Sequence, residues 1–125
     1  MNLFKQLDST PAIRPQRMLI YGLPGIGTST FAAGLPSPVF APADDSTSHI
    51  RCVGFPVAKH FGDLMQALEE LYIEPHDYRT VVIDPLDAVE RLMGEEVSRH
   101  HGAKPLAEIP HACDCVLAHW RRLVL

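Results

Sequence analysis

The feature that most constrains the fold is a glycine-rich stretch that lies between two segments of different periodicity. Before it, residues 18–21 form the continuous apolar run Met-Leu-Ile-Tyr, which is typical of a strand buried on both faces of a parallel sheet. After it, residues 28–33 have a helical composition, and Gly34 and Pro36 follow as helix-ending residues. The sequence therefore predicts a strand, a tight glycine turn and a short helix in immediate succession.

The glycine turn has the spacing of a phosphate-binding loop. Gly22 and Gly27 stand five residues apart, Gly25 lies between them, and Ser29 follows two residues after Gly27. Glycines allow successive backbone N–H groups to point at one anion, and the following helix directs its positive end to the same place. Such loops carry a lysine where this chain has Thr28, so we expect weaker phosphate binding and a larger loss of transition-state stabilisation.

A second strand supplies a carboxylate that such a loop requires. Residues 80–84, Thr-Val-Val-Ile-Asp, are β-branched and apolar until the final Asp84. The carboxyl end of a parallel strand reaches the sheet edge where the glycine turn lies, so Asp84 and Ser29 are the expected magnesium ligands. Without this partner, the glycines would fit a sharp structural turn equally well.

The remaining pattern completes an α/β fold. It predicts a weaker strand at 38–41, a loop over 46–58, an amphipathic helix from Phe61 to Tyr72, a helix from Leu86 that Gly102 ends, and a last helix after Pro110. Strands separated by long crossovers favour a parallel sheet with flanking helices. Three strands make a thin sheet, so we expect at least one edge to be exposed or to pair outside the chain.

Size and charge limit the function classes. The 125 residues predict one domain, residues 17–125, behind a lead-in segment of residues 1–16. The net charge of −4 and the scattered basic residues exclude a duplex-binding surface of the usual kind. Three cysteines without framework spacing, and no apolar run near the roughly 18 residues of a membrane span, predict a cytoplasmic protein with no membrane partner.

Four blocks of the sequence carry a family resemblance. They are "MLIYGLPGIGTSTFAAGLPSPVF", "FPVAKHFGDLMQALEELY", "HDYRTVVIDPLDAVERL" and the late "HW", which together cover most of residues 17–120. The chain resembles the phage-type RecA-like P-loop ATP-binding proteins, AAA/RecA-like NTPases that include single-strand DNA recombinases and annealing proteins. The resemblance implies a RecA-like P-loop NTPase core that binds ATP and Mg²⁺.

The resemblance also implies roles for individual residues. Ser29 and Asp84 would hold the magnesium ion, and Asp44 would position the attacking water if hydrolysis occurs. Aspartate is one methylene shorter than the glutamate that the family carries there. The phosphates would be bound by Gly22, Gly25, Gly27, Thr28, Ser29 and Thr30.

Several departures from the family pattern accompany Thr28. Pro85 stands where serine is common, residues 110–115 replace a Gly-Tyr-Gly-Lys-Gly-Tyr loop, and family members continue with strands and loops that would follow residue 125. These departures predict a degenerate, truncated member with an incomplete sheet. One hypothesis is an ATP-binding protein of DNA recombination or repair, with single-stranded DNA, a phage recombination or replication protein, or further copies of itself as partners. The alternative is a non-catalytic remnant that acts only through protein contacts.

A second group of side chains has the spacing of metal ligands. His111, Cys115 and His119 are four residues apart and would form one stripe on a helix. No fourth ligand is evident, and the family resemblance accounts for this segment without zinc.

Overall fold

The computed structural model describes residues 2–7 and 15–124 as a mixed helix and strand protein with a small parallel sheet. Two 3-10 helices, at Leu3–Gln6 and Leu106–Glu108, accompany six regular elements. In chain order these are α1 (Thr28–Ala33), β1 (Pro38–Pro42), α2 (Phe61–Ile73), β2 (Thr80–Asp84), α3 (Leu86–His100) and α4 (Ala112–Val124). The arrangement is compatible with the α/β P-loop NTPase core that the sequence predicts.

The sheet is built around β1. It pairs with β2 in parallel, with Phe40 opposite Val82. On its other edge Phe40 bridges to Gly54: the amide of Phe40 donates to the Val53 carbonyl and the amide of Phe55 donates to the Phe40 carbonyl, both at 2.8 Å. A side chain at Gly54 would meet Phe40 at 3.0 Å, which explains the glycine. Residues 46–58 contain no helix or strand, as predicted, and Gly54 adds an isolated bridge from this loop to the sheet.

The first predicted strand is also wrong. Residues 18–21 form no strand with any described residue, and Met18, Leu19 and Tyr21 are 63%, 66% and 87% exposed. The sheet of the described residues consists of β1 and β2. The apolar run at residues 18–21 therefore has no neighbouring strand in that sheet with which it pairs. An apolar run becomes a buried strand only where neighbouring strands and helices cover it, and that condition is not local.

The core lies between the sheet and helices α2 and α3. Phe61 and Leu64 of α2 pack with Val89 and Met93 of α3 and with Ala41 of β1, and each is at most 2% exposed. These helices confirm the predicted periodicities, except that Tyr72 at the end of α2 is exposed. Gly102 follows α3 with a φ of +75°, the left-handed conformation that commonly ends a helix.

Helix α4 packs on the outside of this core. Val116, Trp120 and Leu123 contact it, and the helix begins at Ala112. Residues 112–115 are therefore helix, as predicted from Pro110. Within residues 2–7 and 15–124, no helix has both the length and the apolar character needed to cross a membrane.

Candidate functional site

The glycine turn has the backbone conformation that its sequence predicts. Gly25 and Gly27 have φ values of +85° and +97°, which residues with a Cβ adopt only at a cost. Gly22 is required for a different reason, because a Cβ there would lie 2.6 Å from the Cγ2 atom of Ile26. The amide of Ile26 donates to the Leu23 carbonyl at 3.1 Å and closes the turn.

Helix α1 begins at the end of this turn. Gly27 is its N-cap residue, and its carbonyl accepts the amide of Phe31 at 2.9 Å. Thr28 and Ser29 are half-buried in the first turn of the helix, whereas Thr30 is exposed. Two of the three hydroxyl-bearing residues at the start of α1 are therefore partly shielded from solvent.

Ser29 and Asp84 meet at the carboxyl end of β2. The Ser29 hydroxyl donates to Oδ2 of Asp84 at 2.6 Å, across 55 residues of sequence, and both residues are half-buried. Hydroxyl and carboxylate oxygens are the donor types that Mg²⁺ prefers in proteins. The structure therefore brings together the two side chains that the sequence predicts as magnesium ligands, beside a turn whose glycines permit close approach of a phosphate.

Asp44 lies at the same edge of the sheet but is engaged locally. It follows Ala43, whose amide donates to the backbone carbonyl of Asp84 at 3.0 Å. Its own Oδ1 accepts the amide of Ser46 at 2.8 Å, a side-chain turn that holds the carboxylate against its own loop. The backbone next to Asp44 is therefore hydrogen-bonded to the backbone of Asp84. Among the described residues, no hydrogen bond joins the Asp44 side chain to Ser29 or Asp84.

The charges at this edge are negative. Asp44 and Asp84 both lie here, and among the described residues no lysine or arginine forms an ion pair with either. Thr28 adds no charge where a lysine would. A bare triphosphate would be repelled by two carboxylates, so a divalent cation is needed to bring the phosphates and these side chains together.

The predicted stripe of metal ligands in the last helix is explained by packing. His111 precedes α4, with its Nδ1 atom 3.5 Å from Oδ2 of Asp114. Nδ1 of His119 donates to the Cys115 carbonyl at 2.8 Å, and the imidazole packs edge-on against Phe61 at 5.0 Å. In the part of the chain that the structure describes, no three His, Cys, Asp or Glu side chains are arranged to hold a metal.

One feature near the site has no counterpart in the predictions. Thr47, in the loop after Asp44, is a polar residue that is buried, with 7% of its surface exposed. The amide of Ile50 donates to its carbonyl at 3.0 Å, so the loop folds back on itself. Its only sequence signal is the Asp-Asp-Ser-Thr-Ser composition of a turn, which does not say which hydroxyl is buried.

Comparison with known families accounts for most of the chain. A family model described as an AAA domain matches residues 14–117, a span that includes the glycine turn, Asp44 and Asp84. Comparisons with curated proteins and with solved structures gave no match. The AAA assignment agrees with the small parallel sheet and with a nucleotide-binding, P-loop type of function. On the extent of this match, the chain belongs to the AAA domain family.

Proposed function

We propose that the chain binds ATP together with Mg²⁺ at the sheet edge where the glycine turn meets β2. The observation that carries the proposal is the 2.6 Å contact between Ser29 and Asp84. A hydroxyl and a carboxylate from distant parts of the sequence converge there, next to backbone that only glycine adopts without strain. Membership of the AAA domain family supports the same ligand class.

The proposed binding uses the backbone for phosphate and the side chains for the cation. Backbone amides between Gly22 and Thr30 would bind phosphate oxygens, except at Pro24, which has no N–H, and at Ile26, whose amide donates to the Leu23 carbonyl. The Thr28 and Thr30 hydroxyls would add weaker contacts. Ser29 and Asp84 would hold the magnesium ion, which supplies the positive charge that the site itself lacks. The ion would compete for the Asp84 oxygen that the Ser29 hydroxyl now contacts.

We expect hydrolysis to be slow. A charge-assisted contact that is missing at Thr28 lowers affinity by about tenfold to a hundredfold. Loss of one preorganised electrostatic contact lowers a rate by roughly a hundredfold to a thousandfold. Asp44, the proposed water-positioning carboxylate, would also have to leave the Ser46 amide before it could orient a water molecule.

The proposed cellular setting is phage-type DNA recombination or repair in the cytoplasm. What supports it is the resemblance of four sequence blocks to RecA-like recombinases and annealing proteins. Fluorescence anisotropy with a labelled single-stranded oligonucleotide tests this part separately from nucleotide binding. We expect saturable binding that depends on Mg²⁺ and ATP, and flat anisotropy up to high protein concentration would contradict it.

Thermal unfolding with and without ligand tests the nucleotide site. ATP at a hundred times its dissociation constant should stabilise the chain by about 2.7 kcal/mol, and only when Mg²⁺ is present. Asp84→Asn should remove the Mg²⁺-dependent part of this gain. Asp45→Asn, at an exposed neighbouring carboxylate, is the matched control and should keep it. An unfolding curve that does not respond to millimolar Mg²⁺ and ATP would overturn the proposal.

A further inference from the structure

Helix α4 presents an apolar face that the rest of the described chain leaves open. Cys113, Leu117, Trp120 and Val124 are spaced by four, three and four residues, the heptad spacing of a helix seam. Leu117 and Val124 are 46% and 47% exposed and Cys113 is exposed, whereas Trp120 is half-buried and also contacts the core. No residue of α4 is fully buried. The helix therefore has more apolar surface than its contacts with the core cover.

The open face continues into a groove between α4 and α3. The groove has a volume of about 1100 Å³, and Gly94 of α3, Leu106 and Trp120 contribute apolar surface to it. Leu106 packs directly over Gly94, where an added Cβ would lie 3.0 Å from its Cδ1 atom. A large apolar side chain from outside could enter beside Trp120.

Two opposite charges lie on one side of this apolar face, and they can pair with the same two charges of a second copy. Asp114 and Arg121 are seven residues apart, so they lie on the same side of α4, next to Leu117. Both are exposed, and they carry opposite charges near opposite ends of the helix. When two copies of α4 run antiparallel, Asp114 of each lies beside Arg121 of the other, whereas in a parallel pair this flank of one copy faces the side of Val116 and Leu123 of the other.

We infer that this face is an interface between two copies of the chain, formed by antiparallel pairing of α4. A two-fold axis near residue 118 brings Leu117 of one copy against Trp120 of the other. The same axis brings Cys113 against Val124, so all four apolar positions find a partner. The charge pattern favours a second copy because Asp114 and Arg121 are self-complementary, so that two copies form both ion pairs without any other residue.

The interface is small and its dimer is weak. Helix α4 has 13 residues, a length of about 20 Å, so the buried area falls in the class of transient contacts. We expect a reversible monomer and dimer equilibrium that depends on protein concentration. Nucleotide plays no part in it, so its test is independent of the proposed ATP site.

Sedimentation equilibrium over a wide concentration range, without nucleotide, tests the inference. The chain should approach twice its 13.9 kDa monomer mass at high concentration. Leu117→Glu should remain monomeric with an unchanged circular dichroism spectrum. Tyr72→Glu, at a 91% exposed apolar side chain of α2, is the control and should dimerise like the wild type. A wild-type chain that stays monomeric, or a dimer that survives Leu117→Glu, would overturn the inference.

Charge reversal tests the orientation. Arg121→Glu should weaken dimerisation by about tenfold, because two symmetry-related attractions become repulsions. Adding Asp114→Arg to that variant restores opposite charges across the interface and should restore the wild-type dissociation constant. If the double variant is as weak as the single one, antiparallel pairing of α4 is wrong.

Discussion

Two methionines show how differently the two halves of the molecule are held. Met93 of α3 is 0% exposed in the core between the sheet and the helices, whereas Met18, ahead of the glycine turn, is 63% exposed. The segment from Met18 to Phe31 exposes most of its large apolar side chains, and α1 buries only Ala32. The packed half is built by apolar contacts, while the glycine-turn region has few of them.

The candidate site lies where these two regions meet. The packed half supplies Asp84 at the end of β2, and the glycine-turn region supplies Ser29. This hydrogen bond and the buried side chain of Ala32 are contacts that attach the glycine-turn region to the packed half. A ligand that contacts both sides would therefore order the glycine-turn region more than the core.

The largest expected difference between the regions is in stability. Met93→Ala should lower the free energy of unfolding by about 2–5 kcal/mol, since it removes a fully buried side chain and leaves a cavity. Met18→Ala removes the same atoms from an exposed position and should change it by less than about 0.5 kcal/mol. Urea denaturation of both variants measures this difference. Equal effects would mean that residues 18–21 are packed in solution.

A smaller difference is expected between two glycines. Gly27→Ala should cost about 1–2 kcal/mol, because its φ of +97° brings a Cβ too close to the backbone. Gly62→Ala is the matched change in α2, where the φ is ordinary and no heavy atom lies within 4 Å of the new Cβ. It should stabilise the chain by up to about 1 kcal/mol. Thermal unfolding distinguishes them, and similar melting temperatures would contradict the left-handed turn.

The sequence predicts the packed half far better than the other. The helices from Phe61 and Leu86 are correct because periodicity within one segment decides them. The meeting of Ser29 and Asp84 agrees with the predicted pairing, although the strand before the glycine turn, from which the shared sheet edge is inferred, is absent from the described residues. The strand at residues 18–21 is wrong because burial of a strand depends on distant neighbours that local composition does not reveal.

Other features of the site lie beyond what the sequence can predict. The carboxylate of Asp44 turns back to the amide of Ser46, a choice between a local and a distant partner that its position after β1 does not decide. The bridge from Gly54 to Phe40 joins β1 to a segment whose composition indicates a loop. Composition does not reveal that this loop pairs with the strand. The lead-in prediction over residues 8–14 lies outside the described residues.

The smallest expected difference concerns how the helices of the two regions begin. Oδ2 of Asp63 accepts the amides of His60 and Lys59, and these backbone hydrogen bonds lower the pKa of the Asp63 carboxyl from its ordinary value of 3.8. Helix α1 begins with Gly27 as its N-cap, and among the described residues no side chain accepts a hydrogen bond from the amides of its first turn. Asp63 therefore stabilises α2 above about pH 3.8, and this contribution is lost as the pH falls through the lowered pKa.

Acid unfolding of Asp63→Asn tests this contribution. The variant should be less stable than the wild type near neutral pH, and the difference should shrink as the pH falls below the ordinary carboxyl value. Glu69→Gln, an exposed acid on the same helix, serves as the matched control. A constant difference across the acid range would show that Asp63 acts through something other than its charge.

The central claim, that the glycine turn and the Ser29–Asp84 pair form a site for Mg²⁺ and ATP, is tested most directly by calorimetry on Thr28→Lys. We expect the wild type to bind ATP weakly and only with Mg²⁺. The variant restores the missing charge and should bind about tenfold to a hundredfold more tightly. If neither protein releases or absorbs heat on titration with ATP and Mg²⁺, or if lysine brings no gain in affinity, the claim is wrong.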